Sequence, residues 1–146
     1  MKHLSIPGIA AVLLIFFAAV ACKTKKEVMA EPVKDINGTW RIALVTRNTV
    51  DITPYVDSAM FRLTLGTDKS YTLQGNNLPF VVNGSGSWAV DDPQYPYNLS
   101  FTPKDSSRAV PARIGTPVSK GVRNLEITFS PGCPANTYVY TFEKIY

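Results

Sequence analysis

From Ile36 to the C-terminus apolar and polar residues alternate with a period of two. Turn-forming residues interrupt the alternation every 8–15 positions. Trp40, Ile42 and Leu44 alternate with Arg41, Ala43 and Val45, which predicts a first strand with Trp40, Ile42 and Leu44 facing inward. Phe61, Leu63 and Leu65 predict a second strand, and Gly66-Thr67-Asp68-Lys69 turns it into Tyr71 and Leu73. Phe80–Val82 runs into Asn83-Gly84, a pair that tolerates positive φ and predicts a tight hairpin into Trp88 and Val90. Asp91-Asp92-Pro93 ends that strand. Leu99 and Phe101 mark the next.

Residues 109–118 read as a weak strand. Pro111 and Pro117 place it at an edge or in irregular pairing, because proline cannot donate to a ladder. Leu125, Ile127 and Phe129, then Tyr138, Tyr140 and Phe142, form the last two strands. No ten-residue stretch of the domain has a helical apolar period. The pattern is all-β and antiparallel, with about eight short strands, and suits a small up-and-down barrel or a flattened sandwich. The inward aromatics are Trp40, Phe61, Tyr71, Trp88, Phe101, Phe129, Tyr138, Tyr140 and Phe142. Each buries about 150–250 Å², so they fill most of an eight-stranded lumen. A small cavity, or one open only at an end, is the expectation.

Ahead of the domain the pattern changes. Lys2 and His3 precede an unbroken apolar run, Ile9–Ala21. That is shorter than the roughly 20 residues of a membrane-spanning helix and fits a secretion signal. The run ends in Ala19-Val20-Ala21-Cys22 and turns polar with Lys23-Thr24-Lys25-Lys26. Small residues before a cysteine resemble the bacterial lipobox, although Ala19 stands where a large aliphatic is preferred. The resemblance implies that residues 1–21 are removed and that Cys22 is acylated on its thiol and amine. The alternative is a plain secreted protein with Cys22 an ordinary thiol. Residues 22–35 read as a tether, of which the 13 residues after Cys22 reach at most about 45 Å. Residues 36–146 are then the domain.

Composition refines this picture. The net charge is +4 over 146 residues, but five lysines lie before residue 36. Residues 36–146 carry ten basic and eight acidic side chains. The basic character is a property of the N-terminus and does not point to nucleic acid. The one histidine is His3, inside the signal. Ser-His-Asp and Cys-His catalysis and histidine-based zinc sites are therefore closed to the mature chain. Gly84-Ser85-Gly86-Ser87 lies between strands, unlike a nucleophile elbow. A carboxylate-based hydrolase needs only two acids, and Asp91-Asp92 is the one adjacent pair. The same pair also reads as a solvated turn, or as part of a Ca²⁺ site that would need three further oxygen ligands. No catalytic residue, metal site or cofactor is assigned.

The candidate binding loop is Asp91, Asp92, Gln94, Tyr95 and Tyr97, where rigid aromatic faces stand beside carboxylates and an amide. The alternative is that its tyrosines cap the barrel end. Cys133, in the turn Ser130-Pro131-Gly132-Cys133-Pro134, is either a reactive thiol or a half-buried turn residue. It has no basic neighbour in sequence, and no intrachain partner if Cys22 is acylated. Asp57-Ser58-Ala59 matches the short acceptor pattern for O-glycosylation of exported Bacteroidota proteins, which makes Ser58 the candidate.

Several motifs recur in one order: the lipobox, Gly38-Thr39-Trp40, Thr64–Leu73 and Gly86-Ser87-Trp88. After them come Asp91–Pro96 and Ser130–Cys133. Together they resemble lipocalin-like lipoproteins of Bacteroidota grouped as a domain of unknown function. The resemblance covers about residues 36–146 and supplies no activity. It implies a lipocalin-like barrel whose first-strand Gly38 frees the chain and whose Trp40 plugs the floor. By the same resemblance Arg123 packs on Trp40 by a cation–π contact. It also implies an outer-membrane lipid anchor at Cys22. The cationic residues after Cys22 favour the periplasmic face over the cell surface. The expected partner is a small apolar ligand, a glycan or an envelope protein, with a structural accessory role in an outer-membrane complex as the alternative.

Overall fold

The computed structural model describes residues 30–75 and 78–146. Residues 1–21 and Cys22 lie outside the described residues. Pro32–Tyr146 form one compact unit, four residues longer than the expected domain. Lys34 already donates its N–H to Pro93 O at 2.9 Å, and Ile36 is buried.

Among the described residues there are eleven strands: β1 (Gly38–Arg47), β2 (Val50–Asp51), β3 (Arg62–Leu65), β4 (Ser70–Gln74), β5 (Ser85–Val90) and β6 (Asn98–Pro103). The rest are β7 (Val110–Gly115), β8 (Val118–Ser119), β9 (Val122–Arg123), β10 (Leu125–Phe129) and β11 (Tyr138–Ile145). A 3-10 turn, Thr53–Tyr55, follows β2. Sheet neighbours run β11-β10-β7-β6-β5-β4-β3-β1, all antiparallel, and β1 pairs back onto β11. The result is a closed, eight-stranded, lipocalin-like barrel in which chain neighbours are sheet neighbours. β2 is an extra strand on β1, and β8–β9 form a separate small hairpin.

The alternation built this barrel because each of its eight strands buries one face. Leu63, Leu65, Tyr71, Leu99, Phe101, Leu125, Ile127, Tyr140 and Phe142 are all essentially inaccessible. Trp88 and Phe129 join them, and Tyr138 is half-buried. Three departures have physical causes. The first is in β1, where the register against β11 slips between Ile42 and Leu44. This bulge adds one residue and inverts the alternation. Leu44 is therefore 38% exposed and Val45 is inside instead.

The second departure concerns Phe80–Val82, which are not a strand. β4 pairs with β5 directly, through Ser70↔Ser87 and Thr72↔Ser85, so Asn83-Gly84 makes no two-residue turn. Residues 78–84 instead lie over the mouth of the barrel, and Phe80 enters it. Its ring centroid stands 5.3–6.4 Å from those of Phe61, Phe101, Phe129, Tyr140 and Phe142. The Tyr140 hydroxyl donates to Pro79 O at 2.8 Å, and the Tyr71 hydroxyl to Asn83 O at 3.2 Å. The lumen is filled by aromatic rings, and at this mouth the last of them comes from a loop.

Third, β7 is no edge strand. It pairs with β6 through Leu99↔Ala112 and with β10 through Ile127↔Ile114. Ile114 donates its N–H to Tyr97 O, so the odd-numbered residues of β7 face β10. There the ladder stops at Thr128↔Arg113. Pro111, which has no N–H, stands one step beyond. The proline ended one ladder locally and left the strand inside the sheet.

At the other mouth Trp40, which the strand pattern faced inward, fills the floor. It is 2% exposed and its Nε1 donates to Ile36 O at 3.0 Å. Its cation is not Arg123, however. Arg123 sits on the separate β8–β9 hairpin, exposed, and donates to Thr116 O and Oγ1. Lys144, opposite Trp40 on β11, brings its Nζ to 5.7 Å from the Trp40 ring. Gly38 has φ +128°, and the Lys144 side chain crosses the space a Cβ would occupy there. The glycine thus serves both the backbone turn and the lysine's path to the tryptophan.

Candidate functional site

The loop from Asp91 to Tyr97 joins β5 to β6, and its carboxylates are engaged. Asp91 Oδ1 accepts the backbone N–H of Asp92, Tyr97 and Asn98, each at 3.0 Å, and Oδ2 accepts from Asn98 Nδ2 at 2.9 Å. These bonds favour the ionised form and hold the Asp91 carboxyl down at about 2. Asp92 Oδ1 accepts from the N–H of Gln94 and Tyr95. Both acids close turns, and the arrangement aims neither at a shared point. Among the described residues no group of three His, Cys, Asp or Glu converges to hold a metal. Tyr95 and Tyr97 are 59% and 54% exposed, so they do not cap the barrel.

This geometry has a pH signature. A carboxyl whose folded value is depressed supports the fold above its unfolded value, and that support is lost as pH falls through the folded one. The amide signals of Tyr97 and Asn98 should hold their positions from pH 7 to 4 and titrate with a midpoint near 2. A midpoint near the ordinary carboxylate value would show that the bonds do not persist in solution.

Tyr97 does contribute to a recess, through a neighbour that the sequence did not single out. Arg113 on β7 lies opposite Asn98, and its guanidinium stacks on the Tyr97 ring at 5.0 Å. Beyond Arg113 the β7–β10 ladder has ended at Pro111, and a cleft of about 450 Å³ opens on the outer wall. Asn98, Pro111, Arg113, Thr128, Ser130 and Thr137 line it, with Ala112 and the buried Phe129 beneath. The Ser130 and Thr137 hydroxyls lie 3.5 Å apart. Among the described residues no carboxylate pairs with Arg113. Pro111 was the available signal, since a proline inside a sheet marks where a ladder ends.

The remaining candidates lie apart. Ser58 is half-buried in the loop before β3, and lines a separate polar groove with Arg41, Arg62 and Glu143. Arg41 there pairs with Glu143 at 2.9 Å. Cys133 is a free and exposed thiol in the β10–β11 turn, not a half-buried one. Gly86 and Ser87 lie within β5.

A family model described as Domain of unknown function (DUF5004) matches residues 18–143, most of the chain. No curated protein and no solved structure matches the chain significantly.

Proposed function

We propose that this chain, which belongs to the DUF5004 family, is a lipid-anchored extracytoplasmic lipoprotein that binds a glycan or an envelope partner through the outer wall of its barrel. The filled lumen carries this reading. Sites for small molecules are typically cavities of about 300–1,000 Å³, and Phe80 and its five neighbouring rings occupy the volume where a lipocalin-type ligand would sit. Recognition then moves to the surface, where the cleft beside Arg113 is of suitable size. A small apolar ligand in the lumen is correspondingly disfavoured.

The anchor is Cys22. The family match begins at residue 18 and so takes in Ala19–Cys22. Several acyl chains hold a protein on a membrane durably, at about 0.8 kcal/mol per buried CH₂. We place the domain at the outer membrane facing the periplasm, on the strength of Lys23, Lys25 and Lys26. A non-enzymatic role fits a mature chain without histidine whose one adjacent carboxylate pair is tied into turns. Ser58 remains the proposed glycosylation acceptor. A structural accessory role in an envelope complex is the second reading, favoured by the exposed Val118 and Val122 of the projecting β8–β9 hairpin.

Cys22→Ser should abolish labelling by a palmitate analogue and move the protein from the membrane to the soluble fraction. Persistent membrane association of the variant would overturn the anchor. Crosslinking from a photoreactive residue at position 113, compared with one at position 122, separates wall binding from hairpin binding.

A further inference from the structure

We infer that the cleft beside Arg113 is a subsite for an acidic saccharide, a pyranose bearing a carboxylate. This deepens the wall-binding reading above and rests on it. The guanidinium supplies the charge. It is exposed, has no carboxylate partner among the described residues, and is held in place by the Tyr97 ring at 5.0 Å. A planar fork so positioned matches a carboxylate through two parallel hydrogen bonds. The floor supplies the shape. The exposed Pro111 ring presents an apolar surface to the C–H face of a sugar. The rim supplies hydroxyl chemistry. Thr128, Ser130 and Thr137 each donate and accept, and Asn98 keeps one amide oxygen after giving its Nδ2 hydrogen to Asp91.

Each part follows from a local cause already described. Pro111 ends the ladder and so opens the cleft. Asp91 fixes Tyr97 and Asn98 through their backbone N–H groups. Tyr97 in turn fixes Arg113. Arg113 is the binding residue, and Tyr97 is a positioning residue that acts through it.

The probe is digalacturonate, titrated into the full chain in detergent and followed by amide chemical shifts. Saturable shifts should centre on Arg113, Thr128 and Ser130. Arg113→Gln should weaken binding by about tenfold to a hundredfold, the range for losing a charge-assisted hydrogen bond. Tyr97→Ala should weaken it by a smaller factor, and Tyr97→Phe should restore it, since only the ring face is used. The neutral digalactoside should bind far more weakly, and acetate at equal ionic strength should not reproduce the shifts. The proposal is overturned if no saturable shift occurs, if Arg113→Gln binds as wild type, or if the neutral sugar or acetate does equally well. The anchor is read separately by fractionation of the Cys22→Ser protein, so the two ideas can fail independently.

Discussion

Trp40→Ala should leave the domain unfolded or barely folded. The side chain is 2% exposed and plugs one mouth of the barrel, where β1 meets β3 and β11. Truncating a buried tryptophan costs about 3–5 kcal/mol, against a total stability of about 5–15 kcal/mol. The loss also leaves the Ile36 carbonyl without its donor, an added cost on the order of 1 kcal/mol. Trp40→Phe should cost less than alanine, because it keeps a six-membered ring in the floor while losing the pyrrole ring and its N–H. Urea unfolding should show a much lower midpoint for the alanine variant, with an unchanged slope if the denatured state is unaffected. A double-mutant cycle should couple Trp40 to Lys144 by roughly 0.5–1 kcal/mol, the value for a partly exposed cation–π contact. Coupling to Arg123 should be absent within error, since Arg123 bonds to Thr116 on the separate hairpin. An unchanged midpoint for Trp40→Ala would overturn the floor-plug assignment.

The cation on Trp40 shows where sequence reasoning stops. Alternation reports which face of a strand a residue occupies, and it placed Trp40 inside. It carries no information on which basic residue crosses the barrel end. That depends on register, and register put Lys144 opposite Trp40 while Arg123 left the barrel on a hairpin of its own. The bulge in β1 was hidden for a related reason. Residues 42–45 are Ile-Ala-Leu-Val, all apolar, so either Leu44 or Val45 could face inward. Only pairing with β11 decided between them. The candidate site was legible in part. The turn chemistry of Asp91 and Asp92 followed from Asp-Asp-Pro, and Tyr97 was recognised. The cleft was not, because Arg113, Thr128 and Thr137 come from three segments that meet only once β7, β10 and β11 pair.

Phe80 is the other departure from the strand pattern with an energetic consequence. Three apolar residues before Asn-Gly imitate a hairpin strand, and local propensity does not distinguish that from a loop that folds into a barrel mouth. The demand is tertiary. β4 and β5 pair beneath the loop, and the mouth above Phe61, Phe101, Phe129, Tyr140 and Phe142 would otherwise stay open. Gly75 and Gly84 flank the loop with φ +69° and +63°, so both ends use the left-handed conformation that glycine accepts without strain.

Phe80→Ala should therefore destabilise the domain by about 3 kcal/mol, the lower end for deleting a buried phenylalanine because the ring is only half-buried. The vacated space is lined by five aromatic rings. Apolar cavities of this kind stay dry and take up benzene, so benzene should raise the midpoint of the variant and leave wild type unchanged. Tyr140→Phe should cost less, about 1 kcal/mol, since the Pro79 carbonyl it releases can find water. The Tyr140 hydroxyl also gives an alkaline limit. Burial, with a smaller contribution from Tyr138, pushes its ionisation from 10.0 up to about 12. The neutral phenol is the form that donates to Pro79, so this contribution is complete below pH 10 and is lost as pH rises through about 12. Wild type should lose stability across that window and Tyr140→Phe should lose less. A Phe80→Ala protein with an unchanged midpoint and no response to benzene would mean that the loop does not seal the barrel. The lumen, and with it a small apolar ligand, would then return as the site of binding.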